Sequence, residues 1–445
     1  MSLSSSELFE SLTRVAPFAL RARAVSTGRE KLLQHRNQLA FLIVTEDLSD
    51  NSRREVLRDF PCPIYQALTT EQVETLFQFH NTKLLGFARS ALSAQIQKLL
   101  KGHRLVAPSV DQVTMPAVPK VAVLGASGVG RYHANWWERA GAQVTGFLGS
   151  SDASVEQTEQ TLASILGHPV KGHTMLDRLL QHAQPDIVDI CLPASLHFRA
   201  ARTALLSGCH VLCEKPFLYD VALPPAVLHQ QCDELIELAN ARTRLLGMCS
   251  QYFEIARQCL AQSSNDNQPV TQMEATLLTP LRHHAPGALS SWLDLGSHLL
   301  AAVQAVALTR HLRPYTIRLE LSGHNQVTVR FDCTDRADHP NPPPPLGCVL
   351  TVGHLPADSD SPNQRIFRFG DTAFAAYNAQ DSDGQFALEL QDLSNASSRR
   401  IPDPMRTLID AFAHGCAHLP GRIAAQNLDW LLKIAQGIDS ASKRQ

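Results

Sequence analysis

Lys215, Asp294 and His298 have the types and spacing needed to move protons and steady charge at a single carbon. Lys215 lies in a Glu214-Lys215-Pro216 triplet, just past the apolar strand-like run His210-Val-Leu-Cys213. Asp294 and His298 are four residues apart in the apolar run Trp292 to Leu308, so on a helix they share one face, one turn apart. Ser290 and Ser291 stand before that run as N-cap residues. Histidine is the side chain tuned nearest neutral pH, which suits it to take or give the proton of a hydroxyl. An ammonium beside it would stabilise the developing alkoxide. Given a hydride acceptor, the set would interconvert a secondary alcohol and a ketone. Read alone, the helical pair also fits a carboxylate complementing a helix N-terminus beside a satisfied interior histidine.

A place for a hydride carrier is written in Lys120-Val-Ala-Val-Leu-Gly-Ala-Ser-Gly-Val-Gly-Arg131. Val121 to Leu124 reads as a buried parallel strand, and a helix is expected from Tyr132 to Ala140. Between them Gly125, Gly128 and Gly130, with Ser127 and Val129, would bring bare backbone N–H groups and a helix N-terminus against a pyrophosphate. The spacing is G-x-S-G-x-G, with Ser127 where the dinucleotide fingerprint has its second glycine. The strand Gln143 to Leu148 then ends in Gly149-Ser150-Ser151-Asp152. A carboxylate at that strand end would hold the adenosine ribose of NAD, and none stands there. Ser150 at that place favours NADP over NAD, although no Arg or Lys is present to grip a 2′-phosphate.

A further strand, Pro185-Asp-Ile-Val-Asp-Ile-Cys-Leu-Pro193, is followed by Ser195, Leu196 and His197 and by a helix from Phe198 to Ser207, with Gly208 as its stop. Open α/β sheets bind ligands at the carboxyl ends of such strands. From about Lys120 onward the chain resembles the Gfo/Idh/MocA oxidoreductases, on Gly125 to Gly130 with His133, Pro193 to His197, Gly208-Cys-His-Val-Leu-Cys-Glu-Lys-Pro216 and Trp292-Leu-Asp-Leu-Gly-Ser-His298. The resemblance implies that Lys215 lies beside nicotinamide and substrate and that His298 is the acid or base. Asp294 would be its partner or a substrate contact, and Gly125 to Gly130, Ser150, Pro193, His197, Glu214 and Lys215 would hold the cofactor. Tyr252 falls where relatives often place a substrate-facing residue, and it also reads as a half-buried strand tyrosine. Two departures from the family pattern, Ser290-Ser291 for a glycine pair and Ala301 or Ala302 for a later aspartate, point to an altered substrate geometry.

The rest of this region reads as a mostly antiparallel sheet, with strands at Val270 to Leu278, Tyr315 to Leu321, Gln326 to Cys333, Cys348 to Gly353, Ile366 to Phe369 and Gln385 to Leu390. The proline run from Asp338 to Pro345 reads as an exposed loop. Helices are expected from Pro404 to Cys416 and from Leu428 to Ile438, covering core.

The first hundred residues alternate on their own: helices at Glu7 to Val15, Gly28 to His35, Asn51 to Asp59, Glu71 to Phe77 and Ser90 to Leu100, strands at Leu39 to Thr45, Ile64 to Leu68 and Lys83 to Phe87. That is a compact α/β sandwich. Ser26-Thr-Gly-Arg-Glu-Lys-Leu32 and Ala40-Phe-Leu-Ile-Val-Thr-Glu-Asp-Leu-Ser-Asp-Asn-Ser-Arg-Arg54 resemble the L7Ae/L30e ribosomal-protein family over most of residues 8 to 101. The resemblance implies kinked-RNA contacts at Gly28, Arg29, Glu30 and Lys31. Two observations weigh against them. Glu30-Lys31 replaces the Asn-Glu pair of kink-turn readers, and residues 1 to 104 carry 14 Lys plus Arg against 10 Asp plus Glu, far from a basic stripe. A retained fold used for dimerisation or docking is the alternative.

At 445 residues the chain exceeds one core. The expected order is an L7Ae-like α/β/α sandwich (1–104), a linker (105–118), a Rossmann doubly wound parallel sheet (119–240) and an α+β domain with a large antiparallel sheet (241–445). No signal peptide or long apolar run is seen, so a cytoplasmic protein without membrane contact is expected. The ten cysteines form no C-x-x-C pair and read as reduced; Cys209, His210 and Cys213 alternate across strand faces, so no metal site is expected. These readings converge on an NAD(P)-dependent oxidoreductase acting on a sugar, cyclitol or related polyol, expected as a dimer. The rival is a non-catalytic NAD(P)-sensing regulator associated with RNA.

Overall fold

The computed structural model describes residues 5–443 except 61, 101–102, 104–109, 264–269, 282–286, 308–309, 324, 335–343 and 357–362. Most of the proline run expected as a loop therefore lies outside the described residues. The chain divides into two compact units, residues 1–109 with 237–243, and residues 110–236 with 244–445.

In the first unit a four-stranded sheet runs in the order Val25–Thr27, Leu84–Ala88, Leu39–Val44, Ile64–Gln66, with only the last pair parallel. The central strand Leu39–Val44 is apolar throughout because both its faces are covered. Phe41 and Ile43 point to one core with Leu8 and Leu12 of the helix Ser5–Arg21, Val73 and Phe77 of Thr70–Phe77, and Ile96 of Ala91–Leu99. Leu42 and Val44 point to the other, with Leu32 and Val56 of the helices Arg29–Gln34 and Asp50–Asp59. The expected α/β/α layering is thus present, with one strand more than expected, Val25–Thr27. Local chemistry sets the helix starts: Thr69 and Gln72 form a reciprocal capping box, and Ser49 and Ser90 accept from the backbone three residues on.

The second unit holds two sheets. Six parallel strands lie in the order Leu246–Cys249, His210–Glu214, Ile187–Ile190, Lys120–Leu124, Gln143–Leu148, Gly172–His173. Strand order reverses at Lys120–Leu124, the switch point where such sheets leave a crevice. The expected boundary at 240 is corrected: Leu246–Cys249 pairs with His210–Glu214 and completes this sheet. Part of the expected linker is held in place. Val113 N donates to Gly415 O at 2.8 Å and Asp111 pairs with Arg422 at 2.8 Å, so residues 111–113 are bound into this unit.

Among the described residues the other sheet has nine strands where six were expected, and its only parallel pair there is Gln272–Pro280 with Leu346–Leu355. The additional strands explain themselves. Thr372–Gln380 is rich in alanine, Ser398–Pro402 is a polar edge, and His311–Leu312 is two residues long, so none carries a strong strand pattern. One sheet face is covered by the helix Ala288–Ala307, apolar on nearly every side because Gln251–Gln262 and Gly421–Ser442 bury its flanks. The helix Pro404–Ala413 returns to the first sheet's helix Gly130–Arg139, where Trp136 Nε1 donates to Asp403 at 2.9 Å.

Candidate active site

The glycine turn meets its requirements position by position. Gly125 has φ +86°, and a Cβ there would stand 2.6 Å from the Cys191 carbonyl oxygen. A Cβ on Gly130 would stand 2.7 Å from the Gly125 oxygen, so this glycine lets helix and strand approach. Gly128 differs: a Cβ there would meet nothing within 4 Å, and Ser127, Gly128 and Val129 are all exposed. Two glycines therefore build the turn and the third keeps open the space before the helix Gly130–Arg139, where unpaired N–H groups favour an anion. This arrangement fits a dinucleotide. Beyond Gln143–Leu148, Ser150 is exposed, Ser151 caps the next helix by accepting from Ser154 N at 3.2 Å, and Asp152 lies in that helix's first turn.

Two residues expected to contact the cofactor, His197 and Glu214, also make internal hydrogen bonds. His197 is 1% exposed; its Nε2 lies 2.7 Å from Leu192 O and its Nδ1 3.2 Å from both Pro216 O and Phe217 O. Its ring thus ties together the loops after two neighbouring strands, the one led by Pro193 and the one carrying Lys215. Glu214 turns inward, with Oε2 accepting from Lys215 N at 3.1 Å and Oε1 3.3 Å from His133 Nε2. His133 is fully buried and its Nδ1 lies 2.8 Å from Asp189, which also accepts from Trp137 Nε1 at 2.6 Å. Burial opposes charge on His133, but Cys191 and Asp189 outweigh it and hold the imidazole well above its ordinary pKa. Around this ring the donor atoms of His133, Glu214 and Cys249, and of His133, Asp189 and Cys191, lie within 4.8 Å of one another. None of the sequence signals pointed to that grouping, which joins four separate segments.

The strand end and the distant helix do meet. Lys215 Nζ donates to Asp294 O at 3.0 Å and lies 3.4 Å from Asp294 Oδ1, both side chains being about one-fifth exposed. Asp294 Oδ2 is 3.5 Å from Nε2 of His354, whose Nδ1 is 3.3 Å from Thr279 Oγ1. Asp294 is therefore the companion of Lys215 and His354, and the expected pairing of its carboxylate with His298 is replaced. His298 Nδ1 instead lies 3.1 Å from Ser250 Oγ, and its ring packs on Tyr252 with centroids 4.6 Å apart. Burial, then the charges of Lys215 and Arg365, push His298 well below its ordinary pKa. The imidazole therefore resists protonation, and the tautomer in which Nδ1–H donates to Ser250 would leave a lone pair on Nε2.

Tyr252 is corrected from strand to helix: it is the second residue of Gln251–Gln262 and 3% exposed. The helix carrying Asp294 and His298 begins at Ala288, so Ser290 and Ser291 fall inside it, and Ser291 Oγ donates to Asn325 O at 2.7 Å rather than capping. Sequence reasoning missed Ser250, His354 and Arg365. Arg365 alone had a signal, since strand alternation puts it on one face with Phe367 and Phe369.

Residues 119–249 match the family model described as the oxidoreductase family, NAD-binding Rossmann fold, so that segment is similar to the cofactor domain of the Gfo/Idh/MocA oxidoreductases. The chain is similar to an uncharacterized oxidoreductase of Schizosaccharomyces pombe, 28% identical over 36% of this chain and 42% of the relative. It is also similar to D-glucoside 3-dehydrogenase of Escherichia coli, 30% identical over 27% and 32%. These matches span less than half of either relative. Among solved structures, UDP-N-acetylglucosamine 3-dehydrogenase of Acidithiobacillus ferrooxidans shares the fold at TM-score 0.53 and 19% identity, over 73% of this chain and 98% of that one. The scyllo-inositol dehydrogenase of Lactobacillus casei with NAD(H) does so at 0.51 and 12%, over 73% and 98%. The two sheets of the second unit thus share the fold of these structures.

Proposed function

We propose that the protein is a nicotinamide-dependent dehydrogenase or reductase that interconverts a secondary alcohol and a ketone on a sugar, cyclitol or related polyol. The observation that carries this reading is the Lys215 ammonium 3.4 Å from the Asp294 carboxylate, one helical turn from His298. Gly125 to Gly130, Ser150 and Pro193 would hold the cofactor, which supplies the hydride-accepting carbon when bound. The residues do the rest. Neutral His298 accepts the hydroxyl proton at Nε2, while Lys215 donates to the same oxygen and steadies the alkoxide as hydride leaves the carbon. Asp294 holds the ammonium in place, and Tyr252 supports the imidazole from its ring face. The strand end without a carboxylate supports NADP over NAD, and the relatives named as sugar and inositol dehydrogenases support the polyol class. An absorbance assay of NAD and NADP reduction with a panel of sugars and cyclitols tests the reading; turnover that survives Lys215→Ala would end it.

The N-terminal layering supports the L7Ae/L30e resemblance, and we read that unit as a docking or dimerisation module rather than an RNA reader. Arg29 gives its guanidinium to Glu55 at 2.6 Å and Asp59 at 2.7 Å, while Gly28 at φ +95° leads a helix of only six residues with Glu30 in its first turn and Lys31 in its last. A gel shift with kink-turn RNA, beside light scattering for the proposed dimer, tests it. No described helix is long and apolar enough to cross a membrane.

A further inference from the structure

The charges around the reacting residues do not balance. Lys215 has Asp294, but among the described residues Arg365 forms no ion pair with any carboxylate. Its guanidinium is half-buried, Nη1 donates to Asn378 Oδ1 at 2.7 Å, and its buried Nε has no hydrogen-bond partner. Its charge is felt at the buried Tyr252 hydroxyl. The strand register fixes where this side chain points. Arg365 is opposite Leu277 and Phe367 opposite Ala275, while His354 is opposite Thr279 on the neighbouring strand. Paired residues share a sheet face, so Arg365, Phe367, His354 and Thr279 all point to the side that carries Tyr252 and His298. Tyr252 connects them, 6.2 Å from Phe367 and 4.6 Å from His298 between ring centroids. The Arg365 charge is also felt at His298, which it helps to keep unprotonated.

We propose that Arg365 makes this site selective for substrates that carry a carboxylate near the reacting alcohol, such as uronic or aldonic acids. A guanidinium with an unused, partly desolvated N–H face is the group that pairs best with a planar carboxylate. One unbalanced cation neutralises one negative charge, which favours a carboxylate over a doubly charged phosphate ester. Lys215 does not serve this purpose, because its charge is held by Asp294 and directed at the reacting oxygen. The proposal rests on the dehydrogenase reading for the identity of the site.

The test compares D-glucuronate and D-galacturonate with D-glucose, D-galactose and glucose 6-phosphate on the full chain. Turnover is followed by cofactor reduction, and binding in the presence of cofactor by calorimetry. The wild type should prefer uronates to the neutral sugars. That preference ratio should fall about ten- to a hundredfold in Arg365→Met, the range expected for losing one hydrogen bond to a charged group. Arg365→Lys should restore part of it, and thermal melts should show both variants folded. Uronate binding that depends on Arg365 without turnover would uphold the proposal and end the dehydrogenase reading. Turnover with no acid preference, or a ratio unchanged in Arg365→Met, would overturn the proposal and leave that reading standing. A preference for the phosphate over the uronates, or no binding of any acid, would overturn it as well.

Discussion

The ammonium of Lys215 donates to the backbone carbonyl of Asp294 at 3.0 Å across 79 residues of sequence. That bond joins the carboxyl end of a Rossmann strand to the helix that covers the second sheet, so a single contact sets the distance between the proposed charge-stabilising group and the proposed base. Lys215→Ala should reduce kcat by about a hundred- to a thousandfold, the cost of removing one preorganised donor to a developing oxyanion. Cofactor affinity should change far less. Steady-state kinetics with a cofactor titration separates the two.

His298 should set the acid side of the pH profile. Its pKa is pushed down by burial first and by Lys215 and Arg365 next, so the folded protein resists its protonation. The oxidation rate should stay level as pH falls through about 6.5, the ordinary histidine value, and decline only below it. Stability follows the same sign, because the unfolded chain binds this proton first and folding is weakened as pH drops below that value. His298→Gln should remove that part of the pH dependence of unfolding along with most of the activity.

Two glycines three residues apart should respond oppositely. Gly125→Ala strains a left-handed backbone and drives a Cβ against the Cys191 carbonyl, so it should cost about 1–3 kcal/mol of stability by denaturant melts. Gly128→Ala meets no neighbour and should leave the melt unchanged. It should instead weaken cofactor binding by about tenfold or more, since the methyl group enters the phosphate path.

Asp189 is buried with His133 and Trp137 as its partners. Asp189→Ala should destabilise by about 3–5 kcal/mol, the range for removing one member of a buried charge pair. His133 carries a raised pKa, so its contribution is fully present below about pH 6.5 and is lost as pH rises through the folded value. Asp189→Ala should therefore cost least at high pH, which unfolding at a series of pH values would reveal.

Much of this site was legible where chemistry is local. The strand, glycine turn and helix at 120–139 announce themselves because apolar runs, positive φ and helix starts are properties of neighbouring residues. The four-residue spacing of Asp294 and His298 needed only a helix. Partner choice was not legible. Asp294 turned to Lys215 and His354, His298 to Ser250, and His197 to three backbone carbonyls, because those contacts depend on how separate segments pack. Tyr252 was misplaced for a related reason. Four residues after a strand end carry too little periodicity to distinguish a strand's continuation from a new helix.

The central claim is that Lys215 and His298 act on one substrate carbon at the cofactor. Single-turnover spectroscopy of bound-cofactor reduction, with saturating polyol, measures that step apart from binding and release. The wild type should show a fast reduction phase, and Lys215→Ala and His298→Gln should each bind cofactor normally yet lose the phase by a hundredfold or more. A reduction phase of wild-type speed in either variant would contradict the account.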